Sequence, residues 1–409
     1  AGIDVVISDH HLPRESLPAS LALLNPRRPD CGYPDKDLAA VGVAFKLALA
    51  LASALGVSDA FIWKMLDLVA LATVADVASL RGENRIFVRY GMRIISETEP
   101  LGLRALLRAS GMDGKPLTAG RIGFTLAPRL NAAGRLGHAL RGVELLLTDS
   151  THEANVIARE LEELNQRRQS LDRATLDEAR TMAEPMVRRG AVGLVLAREG
   201  WHPGVVGIVA SRIVEEFSRP AILISMEGET GKGSGRSVSG FDLHSALGEC
   251  ADLLIRFGGH RAAAGVTIAS SNLDAFTERF DSVAKSRLAV EDLIPELRVD
   301  AEIELDQATL NLETTLRHFE PFGVGNPAPV FAARNVLSLG APRIVGRDGL
   351  KLTLVGTTGT QIEAIGWGMA ELAPSITPGA ALDVAFRLER DEYNGVSRLQ
   401  ARLADVVVR

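Results

Sequence analysis

Cysteine is nearly absent. Cys31 and Cys250 are the only two among 409 residues and stand far apart, so no disulfide framework holds this chain, and the usage fits a reducing cytoplasm. No excess of one charge is present either. Lys and Arg number 45 against 51 Asp and Glu, a formal net charge of −6. That excludes a uniformly basic nucleic-acid coat, though not a local basic groove. No segment reads as a membrane span. The longest apolar stretch, 38–55, is broken by Lys46 and dotted with Ala and Gly, and reads as a buried core helix. No signal peptide is expected, since the sequence opens Ala1-Gly2-Ile3-Asp4 without a basic start or an apolar h-region. An initiating Met is missing too. The chain enters directly into an apolar run, 3–7, with the character of a buried parallel strand. A protein rarely begins with a core strand, so the expectation is a fragment whose natural N-terminus lies upstream. Internal repeats and low-complexity tracts are absent. What remains is ordinary: 46% hydrophobic and 23% charged residues, enough length for two to four domains, and no room for a disordered or fibrous class.

Strand-like and helical patterns alternate over residues 1–148, the rhythm of an α/β layer, with a strand at 3–7 and helices at 37–55 and 59–74. Ser150 and Glu153 then form a capping-box pattern. It opens a long, exposed amphipathic helix over 149–189 that ends at Gly190 and connects two α/β units. The second unit, 190–290, has strands at 191–197 and 221–225, a helix at 205–217, glycine-rich segments at 231–235 and 258–265, and a closing helix at 273–288. Period-two alternation at Leu350, Leu352 and Leu354 and at Leu382, Val384, Phe386 and Leu388, with a hairpin signal at Asn394-Gly395, makes 297–409 a small β-barrel of five or so short strands, OB-type as the leading candidate.

Six segments carry chemistry. Asp9, His10 and His11 leave the first strand, where ligands gather in open α/β sheets. They suit a divalent metal or a phosphate, against the alternative of a polar loop capping the next turn. Asp76 follows a strongly apolar helix. It either meets a cation or metal, or caps Ser79 and the following turn. Arg129, Asn131 and Arg135 sit among small residues in 128–135, either a phosphate-binding segment or a helix cap followed by surface charge. His202 belongs to Trp201-His202-Pro203-Gly204, which opens a helix whose free N–H groups make an anion site, or else is an ordinary Pro-Gly turn. Ser234 and Arg236 lie in the glycine-rich Lys232–Ser237 segment, and Gly258, Gly259 and His260 in a second one; both read as phosphate-cradling turns or as plain flexible ones.

Together these motifs resemble the DHH phosphoesterase superfamily, and within it the RecJ single-strand-DNA exonucleases. Asp9-His10-His11 matches the name motif and Asp76 the acidic motif after it. Gly258-Gly259-His260 with Ala263-Ala264-Gly265 matches GGHxxAAG, the most specific signature, of the DHH-associated domain. Residues 130–135, 200–205 and 240–244 are similar in wording and order, and the resemblance covers nearly the whole chain. It implies two α/β domains, DHH and DHH-associated, joined by a long helix and followed by an OB barrel. It implies hydrolysis of single-stranded DNA from the 5′ end, in repair and recombination, with two Mn²⁺ or Mg²⁺ ions. Asp9, His10 and Asp76 would be ligands or orient the site, and His11 would contact the scissile phosphate. Ser234, Arg236 and His260 would hold the strand, and the barrel would add a groove for it. The resemblance further implies a cytoplasmic monomer working beside a single-strand-binding protein and a helicase, with no membrane association.

The pattern departs from the family in one respect. An Asp-x-Asp motif and a further Asp precede the histidines in the family, and no substitute for them occurs in this sequence. The expectation is therefore a chain that binds DNA but hydrolyses it poorly by itself. Two other functions fit less of the sequence: a DHH phosphoesterase for short oligonucleotides, which would lack the barrel, and a non-catalytic single-strand-binding module, which would not need Asp9-His10-His11.

Overall fold

The computed structural model describes residues 2–13, 16–98, 100–393 and 396–409. Contacts divide the chain into two compact units, one of residues 1–98, 114–127 and 297–409, the other of 99–113 and 128–296.

The first unit begins with a two-stranded parallel sheet, β1 (Val6–Ser8) and β2 (Ala22–Leu24). The parallel strand forms as the sequence predicts, but it is not buried. Ile3, Val5 and Val6 are 77%, 49% and 52% exposed, because two strands alone bring no second layer over these positions. Four helices follow: α1 (Ala40–Leu55), α2 (Ala60–Lys64), α3 (Leu66–Ala75) and α4 (Gly82–Ser96). The expected single helix over 59–74 is two, broken at Met65. Helix α1 buries Val43, Phe45 and Ala52 but exposes Leu51 and Leu55, so the apolar stretch is one face of a helix rather than a helix buried all round. Phe45 meets Trp63 and Phe87 edge to face at 5.4 and 5.3 Å, and this aromatic contact ties the helices together. Among the described residues no helix is long and apolar enough to cross a membrane.

Next along the chain come α5 (Leu101–Ala109), α6 (Ala119–Arg121), a π-helix (Ile122–Leu126), α7 (Ala127–Leu136) and α8 (Leu140–Leu147). The long helix α9 spans Thr151–Arg188; Ser150 caps it by accepting from the Glu153 N–H at 3.3 Å. The capping box is half made, since the Glu153 carboxylate takes the Thr148 hydroxyl instead of the Ser150 amide. Gly190, at φ 83°, ends the helix in the left-handed conformation that glycine tolerates.

The second unit is built on a five-stranded sheet in the order β3-β4-β5-β7-β6. Its strands are β3 (Leu194–Glu199), β4 (Ala221–Glu227), β5 (Thr230–Arg236), β6 (Leu254–Gly259) and β7 (Ala263–Ala269). Helix α10 (Pro203–Phe217) and the second half of α9 cover one face, and α11 (Leu243–Gly248) and α12 (Leu273–Arg287) the other.

The rest of the first unit is strand-rich: β8 (Ala301–Glu302), α13 (Leu310–Leu316), β9 (Phe331–Ser338), β10 (Arg343–Val345), β11 (Gly349–Val355), β12 (Gln361–Gly366), β13 (Ala381–Tyr393) and β14 (Val396–Val408). Strands β9, β11, β12, β14 and β13 pair in a closed ring, with β12 and β14 parallel. The expected five-stranded barrel is therefore present, with β8 and β10 added and with β13 and β14 longer than expected at 13 residues each. Leu350, Leu352, Leu354, Leu382, Val384 and Phe386 fill it as the period-two pattern requires. Asn394-Gly395 lies outside the described residues; β13 and β14 pair antiparallel as far as Tyr393 and Val396.

This packing can be probed at two places. A β-carbon on Gly102 of α5 would stand 1.6 Å from the Leu145 carbonyl oxygen of α8. Gly102→Ala therefore costs about 1–3 kcal/mol or more, read by urea unfolding; an unchanged midpoint would show that these helices part freely. In the barrel, the Asp306 carboxylate accepts from Thr357 Oγ1 at 2.9 Å, the Thr358 N–H at 3.2 Å and Thr358 Oγ1 at 2.6 Å. Hydrogen bonds, first from Thr358 and then from Thr360, hold its pKa down to about 2. The folded pKa lies below the unfolded value, so this stabilisation is complete above the ordinary carboxylate range and lost as pH falls through about 2. Asp306→Asn lowers the melting temperature at neutral pH, and the difference from the parent closes as pH approaches that value.

Candidate metal centre and strand-binding residues

The Asp9 N–H donates to the Leu24 carbonyl at 2.9 Å, so the β1–β2 ladder holds the chain up to the carboxyl end of β1. There the Asp9 carboxylate gathers three contacts on one oxygen, Oδ1. It accepts from the His10 N–H at 2.7 Å and the His11 N–H at 3.2 Å, and meets His11 Nδ1 at 2.7 Å. Burial raises the pKa of this carboxyl, but the bonds from the His11 ring and from the His11 and His10 amides outweigh it and hold the group below the usual carboxylate range. The His10 ring packs edge-on against that of His11, with centroids 4.4 Å apart. Its side chain is 17% exposed and directs Nε2 to Asp76 Oδ2, 3.1 Å away.

Asp76 ends helix α3, and its side chain is half exposed. Its carboxylate faces His10 rather than Ser79. Asp9, His10 and His11 each offer a ligand atom within 4.8 Å of the others. Imidazole nitrogen with carboxylate oxygen, partly open to solvent, fits a Mn²⁺-like divalent ion better than an all-oxygen set would.

The remaining predicted residues belong to the second unit. Residues 128–135 are the body of α7, not a helix cap, because Ala127–Leu136 is helical throughout. Arg129 there is engaged by Glu162 of α9, Asn131 is exposed, and Arg135 Nη1 donates to the Gly204 carbonyl at 3.1 Å. His202 is the N-cap of α10, and Nδ1 accepts from the Gly204 N–H at 3.0 Å. Pro203 has no N–H, and Val205 and Val206 donate to the His202 carbonyl at 2.9 and 3.2 Å. The expected anion site of free amides is thus closed: the first turn is already capped.

The expected turn at 231–235 is also corrected. It is strand β5, paired on both sides. Its glycines answer to packing: a β-carbon at Gly233 would stand 2.7 Å from Val266 Cγ2, and one at Gly235 2.9 Å from Leu243 Cδ2. Ser234 and Arg236, two apart, then share the opposite face. Arg236 Nη1 donates to Ser234 Oγ at 2.9 Å. Both side chains lie over Gly207 of α10, where a β-carbon would be 2.9 Å from Ser234 Oγ and 3.2 Å from Arg236 Nη2. Burial, and then the like charge of Arg135, push the Arg236 guanidinium below its ordinary pKa.

The second glycine segment forms the β6–β7 hairpin, with Gly258 opposite Gly265 and Gly259 opposite Ala264. A β-carbon on Gly259, at φ 147°, would meet the Ala263 carbonyl at 2.4 Å, so glycine is required there. His260 is exposed just beyond, at the end of the sheet where Arg236 pairs with Ala263.

The structure thus makes two groups, Asp9, His10, His11 and Asp76 in one unit, and Arg135, His202, Ser234 and Arg236 in the other. Sequence reasoning missed Arg168, Asp172 and Arg212, which form ion pairs on α9 and α10. A polar residue on the apolar stripe of α9 was the available signal. It also missed Phe124, 88% exposed on the π-helix, for which no sequence signal exists. A cavity of about 640 Å³ lined by Leu49, Trp63, Leu66, Phe87 and Tyr90 is apolar and contains none of the predicted site residues.

Comparison with known proteins decides the family. Residues 1–73 match the DHH family N-terminal domain, 190–286 the DHHA1 domain and 299–405 the RecJ OB domain. The single-stranded-DNA-specific exonuclease RecJ of Escherichia coli (strain K12) is 38% identical over 419 residues, covering 98% of this chain and 72% of that protein. The chain belongs to the RecJ family. Its RecJ relative in Bacillus subtilis (strain 168) is 37% identical over 410 residues, all of this chain and 51% of that protein. The crystal structure of RecJ in complex with Mn²⁺ from Thermus thermophilus superposes with a TM-score of 0.86 at 34% identity, covering 99% of this chain and 58% of that one. The chain therefore spans little more than half the length of these last two RecJ proteins. The expected architecture, with DHH, DHH-associated and OB domains, is borne out.

The metal site is tested on the chain itself. Asp76→Asn or His10→Ala lowers Mn²⁺ affinity at least about tenfold, followed by the electron paramagnetic resonance signal of free Mn²⁺. Equal affinity in all three proteins would place the ion elsewhere.

Proposed function

We propose that this chain is the core of a divalent-metal-dependent exonuclease that digests single-stranded DNA from the 5′ end. The observation that carries it is the convergence of Asp9, His10, His11 and Asp76 at the end of a parallel strand, in a chain of the RecJ family. Asp9, His10 and Asp76 would hold Mn²⁺ or Mg²⁺. A divalent ion there supplies Lewis acidity to a phosphate oxygen and makes bound water a better nucleophile. The Asp9 carboxylate orients the His11 ring through its 2.7 Å contact and leaves that ring exposed to contact the scissile phosphate. His10, held at Asp76 and far less exposed than His11, is the ligand rather than the phosphate contact.

Ser234 and Arg236 supply a hydroxyl and a guanidinium fork on one face, a combination suited to a terminal phosphate. With Arg135 beside them they set polarity by binding the 5′-phosphate, and Gly258, Gly259 and His260 hold the strand at the same end of the sheet. Exposed Asn131 contacts the strand, whereas His202 and Arg129 serve the site indirectly, His202 by capping α10 and Arg129 by its bond to Glu162. The barrel adds a groove for the following nucleotides. On family resemblance alone, the protein acts as a cytoplasmic monomer with a single-strand-binding protein and a helicase as partners.

The reading is tested by fluorescence anisotropy and by product length. Single strands bind more tightly than duplexes, and added salt weakens binding steeply. With Mn²⁺ present, the chain by itself shortens strands poorly; joined to an upstream segment that carries the family's Asp-x-Asp motif it shortens them from the 5′ end, and His10→Ala in that longer protein abolishes shortening. Arg236→Ala costs about 1.5–3 kcal/mol of binding on 5′-phosphorylated strands and almost nothing on 5′-hydroxyl strands. Equal loss on both overturns the end-recognition role, and equal digestion of duplex and single strand overturns the substrate.

A further inference from the structure

Helix α3 ends beside the candidate metal centre with a valine where helices favour glycine. The Val77 N–H donates to the Val74 carbonyl at 3.1 Å, and the Ala78 N–H to the Thr73 carbonyl at 3.2 Å. These two bonds make a Schellman ending, whose left-handed position is usually glycine. Val77 occupies it at φ 57°, a strained conformation for a β-branched side chain. Packing does not account for the choice, since Val77 is 66% exposed. Its neighbour Asp76 meets His10 at 3.1 Å. Strain kept next to a candidate metal ligand, for a side chain that fills no core, points to a contact outside the fold.

A second exposed apolar group comes from the π-helix. Ile122 and Leu126, four apart, are both fully buried at 0% exposure, and Phe124 midway between them is turned out to 88%. The π-helix is seated on the same end of α3: a β-carbon on Gly123 would stand 3.4 Å from Val74 Cγ1. Val74 is therefore shared. Its carbonyl fixes Val77, and its side chain backs Gly123, the residue before Phe124. Both elements belong to the first unit, together with Asp9, His10 and His11. Wide π turns recur at functional sites, where the altered register re-aims a side chain.

We propose that Phe124 and Val77 form an apolar platform for a nucleobase flanking the phosphate held at the metal centre, Phe124 by stacking on the base and Val77 by packing against it. Such a platform decides strandedness rather than sequence. Every base has a π-face, so stacking tolerates any of them. In a duplex that face is covered by the neighbouring base pairs, and a base must be unstacked before a side chain can take it. The proposal rests on the metal-centre reading above.

The test measures binding of short oligothymidylates, labelled at the 3′ end, to the whole chain in Mn²⁺ by fluorescence anisotropy. A second strand has its two 5′-terminal nucleotides, those that flank the scissile phosphate, replaced by abasic sites. Phe124→Ala weakens binding of the complete strand roughly tenfold and leaves binding of the abasic strand unchanged. Phe124→Trp keeps the parent's affinity, and the tryptophan it adds is quenched by the complete strand but not by the abasic one. Val77→Gly weakens binding about threefold. Its melting temperature stands at or above the parent's, because glycine takes φ 57° without strain. Equal losses on the complete and abasic strands, or parental affinity in Phe124→Ala or Val77→Gly, overturn the platform. Mn²⁺ that leaves the parent's affinity for single strands unchanged overturns the metal-centre reading instead, whatever the Phe124 variants do.

Discussion

The burial of one stripe of α9 holds the second unit together. Ala154, Ile157, Ala158 and Leu161 seat its first half among the preceding helices, and Leu176, Ala179 and Ala183 seat its second half on α10 and the five-stranded sheet. A helix of 38 residues reaches both because it carries a buried apolar stripe from Ala154 to Ala183. Its role is therefore more than connection. It is a shared wall, and the side chains in its middle, Asn165, Arg168 and Asp172, stand where the two apolar halves meet.

That position gives the polar residues their meaning. Apolar side chains at Asn165 and Asp172 would satisfy packing more cheaply. The carboxylate instead anchors two arginines, Arg168 buried with it and Arg212 reaching solvent, and Gly207 of α10 leaves room for Ser234 and Arg236. The cationic character is thus a local property of one helix interface, in a chain whose net charge is negative. The candidate metal centre obeys a similar economy. One carboxylate oxygen of Asp9 fixes two successive amides and the His11 imidazole, while the His10 ring meets Asp76.

Much of this was legible in the residues. Period-two alternation of leucines named the barrel strands and their inward faces, because only every second residue of a strand can reach a core. Ser150 and Gly190 marked the ends of α9. Asp9-His10-His11 announced its chemistry through residue type and through its place after a parallel strand. The glycine segments were harder. Gly231, Gly233 and Gly235 have the composition of a turn, yet form a strand because close packing from Ile224, Val266 and Leu243 leaves no room for side chains. Composition reports what a backbone can do, not which neighbour restricts it.

By itself, then, the sequence determined the local devices: helix stripes, barrel alternation, the metal-ligand types and the Ser234-x-Arg236 spacing. Tertiary structure decided their partners. It joined Asp76 to His10 across more than sixty positions, filled the first turn of α10 with the His202 cap, and set Arg212 against a buried Asp172 on another helix. The physical reason is range. Backbone geometry and side-chain periodicity act over a few residues and can be read along the chain, whereas ion pairs and close contacts between distant elements exist only once apolar burial has brought those elements together.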